Sequence, residues 1–274
     1  SYLSARQFQH LFNGLSKAFS IESLDEFTFE CEPGTASLEK FKALKGAGVT
    51  RLSLGLEHFD DRVLLQNGRA HDQKAIYKAV RNAQKAGLSQ INIDLIAGLV
   101  GDTEEGWRDA VSRTIELAPD SVTIYQLEFP YNTSFSRTLR ESGSLDGGVP
   151  DWPTKRRWLD EGFARLEEAG YILGSGYTAV KKGSGATFLY RDNLWTGADL
   201  LGLGVSSFSQ IGGTHFQNEK QVEAYIASIE DGELALGRGY VMTEEERLIR
   251  ELVLQLKRGQ LNRQYFQQKF EIDI

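Results

Sequence analysis

Asp94, Arg69, Glu57 and Glu30 are the residues whose types and positions suit chemistry best. Asp94 ends the alternating segment INID, and Glu30 and Glu57 close EFTFE (26–30) and RLSLGLE (51–57); Glu128 closes SVTIYQLE (121–128) in the same way. An ionised carboxylate at such a position accepts two hydrogen bonds at once and suits a vicinal diol such as that of a ribose. The plainer roles for Asp94 are a helix N-cap or a loop ion pair, and position alone leaves these open. Arg69, in LLQNGRAH, offers a planar fork that matches a carboxylate or phosphate; a surface ion pair is its plainer role.

Other candidates carry less. His10, His58, His71 and His215 show no metal-ligand spacing, so a zinc site is not expected. His58 follows a strand end and can serve as general acid or base, although a neutral histidine bonded to a loop is the commoner case. Cys31, the sole cysteine, reads as a small buried thiol. LGLGVSS (201–207) is only loosely like a phosphate-cradling loop, lacking both GxGxxG spacing and a P-loop lysine.

Positioning these residues requires strands and helices in alternation. Strands 26–30, 51–57, 91–95 and 121–128 start at regular intervals and read as near-continuous apolar runs, the pattern of a parallel sheet buried on both faces. Helices are expected near 38–47, 72–86 and 103–117, the last opened by an Asp102/Glu105 capping box, with Gly48 and Gly87 as C-caps. Ser4 caps an opening helix with Phe8, Leu11, Phe12, Leu15 and Phe19 on one face. In βα barrels chemistry gathers at the carboxyl ends of the strands, because the loops there converge on one mouth. A Gly, Ser and Pro-rich stretch at 141–153 reads as a linker. The expected domains are therefore a partial barrel over 1–140 and a smaller α+β domain over 154–274, which begins with a helix from Thr154 and ends in a helix capped by Thr243 and Glu246.

The 274 residues carry a net charge of −7, without the basic stripe of a nucleic-acid binder. Lys155, Arg156 and Arg157 form one short basic run, expected on a solvated helix face. One cysteine points to a reducing compartment, and no apolar stretch reaches membrane-spanning length. A cytoplasmic protein with a small-molecule substrate is the expectation.

The segments FECEP, GVTRLSLGLEHFDD, NGRAH, INIDLIAGL, GDTEEGW, IYQLEF and LGLGVSSFS, in this order, resemble the radical S-adenosylmethionine family of oxygen-independent coproporphyrinogen III oxidases, whose relatives include haem chaperones and radical methylases or cyclopropanases. The resemblance covers nearly the whole chain and implies an α/β fold: a partial (β/α)6 barrel, here without its first one or two βα units, followed by a smaller α+β domain. It implies one or two S-adenosylmethionine molecules, a [4Fe-4S] cluster, and an electron donor such as flavodoxin or ferredoxin. The cluster requires three thiolates. With one cysteine in the chain, the family's cysteine motif and GGGTPS turn are expected upstream of Ser1, and the chain as it stands is expected to bind no cluster and to be inactive.

By resemblance, Asp94 would hold ribose hydroxyls, Ile96 would pack on adenine, Arg69 would pair with the methionyl carboxylate, and Glu30, Tyr125 and Gln126 would face the cofactor. Gly202, Gly204, Val205 and Ser206 match a loop near a second cofactor and the substrate. Glu57 stands where the family usually has Gln, which loses an amide donor and adds charge; Cys31 replaces the usual Asn, and RDNLW (191–195) departs from HNxxYW. Glu57 and EFPYNTSF (128–135) incline the reading towards methyl or methylene transfer on an unsaturated or tetrapyrrole substrate. Coproporphyrinogen oxidation and haem transfer, the latter with His58, His71 or His215 as ligand, are the alternatives, and a barrel binding a phosphorylated metabolite is a third.

Overall fold

A computed structural model describes residues 3–131, 133–143, 145 and 148–274. The chain divides into two units, Ser1–Thr187 and Phe188–Ile274.

The first unit runs α1 (Ala5–Ala18), β1 (Thr28–Cys31), α2 (Leu38–Gly46), β2 (Arg51–Glu57), α3 (Asp61–Gln66), α4 (Gln73–Ala86), β3 (Gln90–Ala97), α5 (Glu104–Leu117), β4 (Ser121–Gln126), α6 (Ser134–Ser142), α7 (Trp152–Glu168), β5 (Tyr171–Leu173) and β6 (Thr178–Lys181). Its sheet has the order β1-β2-β3-β4-β6-β5. The first four strands are parallel, and β6 joins β4 antiparallel. This is the α/β fold expected of a partial radical-enzyme barrel.

The helices form for local reasons that the sequence carries. In α4, Ile76, Ala79, Val80 and Ala83 are buried at helical spacing, Asp72 accepts the Ala75 N–H, and Gly87 takes the left-handed C-cap at φ 69°. Ser4 and Gln7 make a reciprocal capping box on α1. At α5 the cap is Thr103, which accepts the Gly106 N–H, rather than the expected Asp102; the Asp102 carboxylate is engaged with His58 instead.

The two faces of the parallel sheet differ in chemistry. Residues paired across strands share a face and successive residues alternate. Leu52, Leu54, Ile91, Ile93, Leu95, Val122 and Ile124 belong to one buried apolar cluster with Phe41, Leu44, Ile76, Trp107 and Trp158 from the helices. Full burial of each such side chain contributes about 1.5–3 kcal/mol. The other face is polar: Glu30 pairs with Ser53, Ser53 with Asn92, Asn92 with Ser121, and Asp94 lies between Gly55 and Thr123. The apolar runs are thus interrupted at alternate positions by buried Ser53, Asn92, Ser121 and Thr123.

The domain division falls later than 141–153, a stretch of which 144, 146 and 147 lie outside the described residues. Helix α7 and the β5–β6 hairpin, expected in the second domain, complete the first sheet, because β6 takes its ladder from β4 (Ser121 with Val180, Thr123 with Thr178). Helix α7 also packs tightly on α5, with the Trp107 indole donating to the Trp158 carbonyl at 2.7 Å.

The second unit contains α8 (Leu189–Trp195), β7 (Phe208–Ile211), β8 (Thr214–Asn218), α9 (Val222–Glu230), β9 (Leu236–Val241), α10 (Glu244–Leu256) and α11 (Arg263–Phe270). Its antiparallel sheet has the order β7-β8-β9. Thr243 and Glu246 form the expected capping box on α10. The buried face of α10 carries Glu251 and Gln255, while Ile249, Val253 and Leu256 of the expected apolar stripe stay about half exposed. Glu251 tolerates burial because Lys269 (2.8 Å) and the Tyr265 hydroxyl donate to it.

Gly162 on α7 tests the α5–α7 packing. A Cβ there would lie 3.0 Å from the Trp107 ring and 3.2 Å from Ile124. Gly162→Val is expected to destabilise the protein by about 1–3 kcal/mol through overpacking, read as a lower urea midpoint; an unchanged midpoint contradicts this contact.

Candidate functional site

The polar face is organised around Asp94. Its Oδ2 accepts from the Ser53 hydroxyl at 2.7 Å and its Oδ1 from the Asn92 amide at 2.8 Å. The same Asn92 amide donates to Ser53 Oγ at 2.9 Å. The Asn92 carbonyl then accepts from Ser121 (2.8 Å) and Thr123 (3.1 Å). One connected network therefore crosses β2, β3 and β4. Burial raises the Asp94 pKa, the bonds from Ser53 and Asn92 lower it, and the Glu30 charge raises it again. Asp94 is neither a helix cap nor a loop ion pair; its carboxylate is held from the sheet side.

Glu57 reaches this face through a backbone irregularity. The β2–β3 register shifts between Gly55 and Glu57, with Gly55 opposite Asp94 and Glu57 opposite Leu95. Glu57 has φ 65°, a left-handed conformation that is uncommon for a side chain of this size. Its carboxylate lies over Gly55, where a Cβ would come within 3.0 Å of Glu57 Oε1. Two histidines support the bulge: His71 Nε2 meets the Leu56 carbonyl at 3.2 Å, and His58 is fully buried just beyond it. The Asp60 N–H donates to His58 Nδ1 at 3.0 Å, so the His58 proton is assigned to Nε2, 3.1 Å from Asp102. His58 and His71 thus each hold the loop through one ring nitrogen, and both rings are buried.

Arg69 stands beside Glu57, with Nη2 3.4 Å from Glu57 Oε1 and Nη1 4.0 Å from Glu32. Both distances exceed those of a tight charge-assisted bond. Asn67 fixes the Arg69 loop: its amide exchanges hydrogen bonds with Val100 in both directions, at 2.9 and 3.0 Å, and donates to Val63 at 2.7 Å. Burial is the main reason the Glu57 pKa rises to about 7; Arg69 opposes the rise, while Asp94 and Glu32 add to it. Arg69, Glu57 and Asp94 therefore share one electrostatic neighbourhood.

Ile96 pairs with Tyr125 on the Asp94 face, one step nearer the strand ends. Tyr125 is about half exposed; desolvation, then the Asp94 and Glu30 charges, push its pKa up to about 12. Gln126 pairs with Ala97, which places it on the opposite face, so alternation separates it from Tyr125. Glu30 is exposed at the end of β1. Exposed Glu128 lies beyond β4, where its charge acts on Lys155.

Gly202, Gly204, Val205 and Ser206 belong to the second unit. The Gly202 N–H donates to Ser209 Oγ, that of Gly204 to Tyr225 Oη and that of Ser206 to the Glu219 carbonyl. Three of the loop's amides are thus committed to internal bonds. Arg191 of RDNLW pairs with Asp192 at 2.7 Å and lies over Phe188 and Trp195. His215 is exposed and stacks on Phe208.

Lys155 departs from the expected solvated face. It is buried, donates to the Leu127 carbonyl at 2.8 Å and crosses Gly98, where a Cβ would come within 2.7 Å of it. Desolvation lowers its pKa. Arg157 of the same run is exposed and pairs with Glu104. Cys31 is a buried free thiol near Thr35 and the Glu32 carbonyl. Among the described residues no group of three or more His, Cys, Asp or Glu is arranged to hold a metal ion, and no helix is long and apolar enough to cross a membrane.

Residues 6–113 match the Radical SAM superfamily model. The chain is 28% identical over 267 residues to the oxygen-independent coproporphyrinogen III oxidase of Escherichia coli, covering 93% of this chain and 57% of that protein. It is 28% identical to the haem chaperone HemW of Bacillus subtilis, covering 93% and 66%. The solved structure of E. coli coproporphyrinogen III oxidase, described as a Radical SAM enzyme, superposes with a TM-score of 0.83 at 25% identity, covering 99% of this chain and 64% of that one. The chain therefore spans less than two thirds of these relatives. Their names are of an oxidase and a haem chaperone, so the inclination towards methyl or methylene transfer gains no support from them.

Glu57 gives a test of the site's electrostatics. A carboxyl whose pKa is about 7 folded and 4.5 when unperturbed contributes stability that is complete below pH 4.5 and lost as pH rises to about 7. Relative to Glu57→Gln, the wild-type protein is expected to lose on the order of 2–3 kcal/mol between pH 4.5 and 8, measured by denaturant unfolding across that range. Parallel curves for the two proteins contradict the burial-raised carboxyl.

Proposed function

We propose that this chain, which carries a Radical SAM domain, forms the S-adenosylmethionine site of an enzyme of the coproporphyrinogen III oxidase type. The observation that carries this reading is the Asp94 carboxylate, fixed from the sheet side by Ser53 and Asn92, with a guanidinium in the same neighbourhood through Glu57.

The residues present fit that cofactor at both ends. Each Asp94 oxygen has a second lone pair for the ribose hydroxyls, and the network sets the carboxylate's orientation before the ligand arrives. Ile96 presents an apolar surface on the same face for adenine. Arg69 is only loosely paired with Glu57 and Glu32, so a ligand carboxylate can replace them. Near neutral pH part of the Glu57 population is protonated, which frees Arg69 of an anionic partner. It also gives Glu57 a donor, the role an amide would fill if, as the resemblance implies, Gln is usual at this position. When bound, S-adenosylmethionine supplies the adenosyl group whose radical abstracts hydrogen.

The [4Fe-4S] group does not fit the residues of this sequence, since it needs three thiolates and Cys31 is the sole cysteine and buried. Electron delivery by a flavodoxin or ferredoxin belongs to the same proposal.

The oxidase relatives favour oxidative decarboxylation of a tetrapyrrole substrate over carbon transfer. The HemW relative makes haem transfer a second reading; with His58 and His71 engaged in the loop, exposed His215 is the better axial ligand of the three.

Calorimetric titration of the chain with S-adenosylmethionine tests the site. Asp94→Asn and Arg69→Gln are each expected to weaken binding about 10- to 100-fold, the loss of a charge-assisted bond, while Glu57→Gln retains it. Equal affinity in wild type and Asp94→Asn, or no saturable binding by wild type, overturns the reading.

A further inference from the structure

A cavity of about 280 Å³ opens in the second unit, far in sequence from the Asp94 face. Its lining brings together the β7–β8 turn at Gly212 and Gly213, Gln210 of β7, and Arg247 and Arg250 of α10. The turn closes because both glycines take positive φ, 54° and 84°. Gly213 lets the Arg247 stem pass close by: a Cβ there would lie 3.2 Å from Arg247 Cδ.

The charges of this cavity are unevenly satisfied. Its two carboxylates are already engaged: Asp199 accepts the Gly212 N–H at 3.0 Å, and Glu251 accepts from Lys269 and Tyr265. Arg247 and Arg250 are half-buried and stand at i and i+3 on one helix face. Among the described residues neither guanidinium has an ion pair or side-chain hydrogen bond. Gln210 is 6% exposed, and its carboxamide oxygen is buried without a donor. A buried acceptor left unmade costs about 1–3 kcal/mol, and two adjacent unpaired guanidinia repel each other. One ligand corrects both defects if it carries an oxyanion beside a hydroxyl or N–H.

We propose that this cavity binds the carboxylate or phosphate group of a small molecule, with Arg247 and Arg250 gripping the oxyanion and Gln210 accepting from a neighbouring donor on the same ligand. Planar guanidinia match either oxyanion in bidentate fashion. The site is separate from the S-adenosylmethionine reading and stands whether or not that reading holds.

Titration calorimetry of the 274-residue chain with inorganic phosphate and, separately, citrate at constant ionic strength tests the proposal. Saturable binding of at least one anion is expected. Saturation by phosphate alone assigns a phosphate-bearing ligand, and saturation by citrate alone a carboxylate. The Arg247→Gln/Arg250→Gln double variant should bind at least about tenfold more weakly, and Arg250→Gln alone should show part of that loss should the double variant fail to fold. Lys17→Gln, an exposed charge on α1, should bind as wild type does. No saturable binding of either anion, or undiminished affinity in a folded arginine variant, overturns the site.

Discussion

A partly buried carboxylate at the centre of a parallel sheet is the constraint on which the first unit depends. Desolvation penalises the charge of Asp94, and the penalty is bearable only because hydroxyl and amide donors meet it. Ser53 and Asn92 meet it directly, and Ser121 and Thr123 satisfy the remaining acceptor of Asn92. These residues lie on three strands, so the network specifies register as well as charge. A slip of one residue would send the polar set among Leu52, Ile93 and Val122 and bring those side chains to the polar face.

The β2 bulge extends that constraint to the mouth. Glu57 adopts a conformation that costs of order 1–3 kcal/mol for a residue with a side chain, and the surroundings over-determine it. His71 meets the bulge carbonyl, His58 and Asp102 brace the following turn, and Gly55 leaves room for the carboxylate. The result is an acid whose pKa is lifted towards neutrality beside Arg69 and within reach of the Asp94 field. Asn67 does for Arg69 what the histidines do for Glu57, tying its loop to Val100 after β3. Each charged group at the mouth is positioned by side chains of the neighbouring loops.

Much of this was legible in the chain. The four strands appear close to where apolar runs and turn residues put them, and α2, α4 and α5 follow from capping residues and helical spacing. The acids at strand ends were legible as Glu57 and Asp94, which share one neighbourhood with Arg69. Alternation at Ser53, Asn92 and Asp94, and Ser121 and Thr123 was a readable sign of a polar face, but the β-branched richness of the segments masked it. The same alternation separates Gln126 from Tyr125. The bulge was not legible, because a positive φ at Glu57 is imposed by tertiary contacts. Nor was the burial of Lys155, which depends on Gly98 admitting its stem from a helix distant in sequence. The unit boundary was misplaced because a Gly, Ser and Pro-rich stretch resembles a linker even where the next strands return to the first sheet. The internal bonding of the 202–206 loop likewise depends on Asn218, Glu219 and Tyr225, none of them local.

The most direct measurement is a crystal structure of the chain with S-adenosylmethionine bound. Both ribose hydroxyls should lie about 3 Å from the Asp94 carboxylate, with Ser53 and Asn92 still donating to it and the methionyl carboxylate against Arg69. Density for the ligand away from the Asp94 face, or with its ribose turned from Asp94 and its carboxylate remote from Arg69, would contradict the central claim.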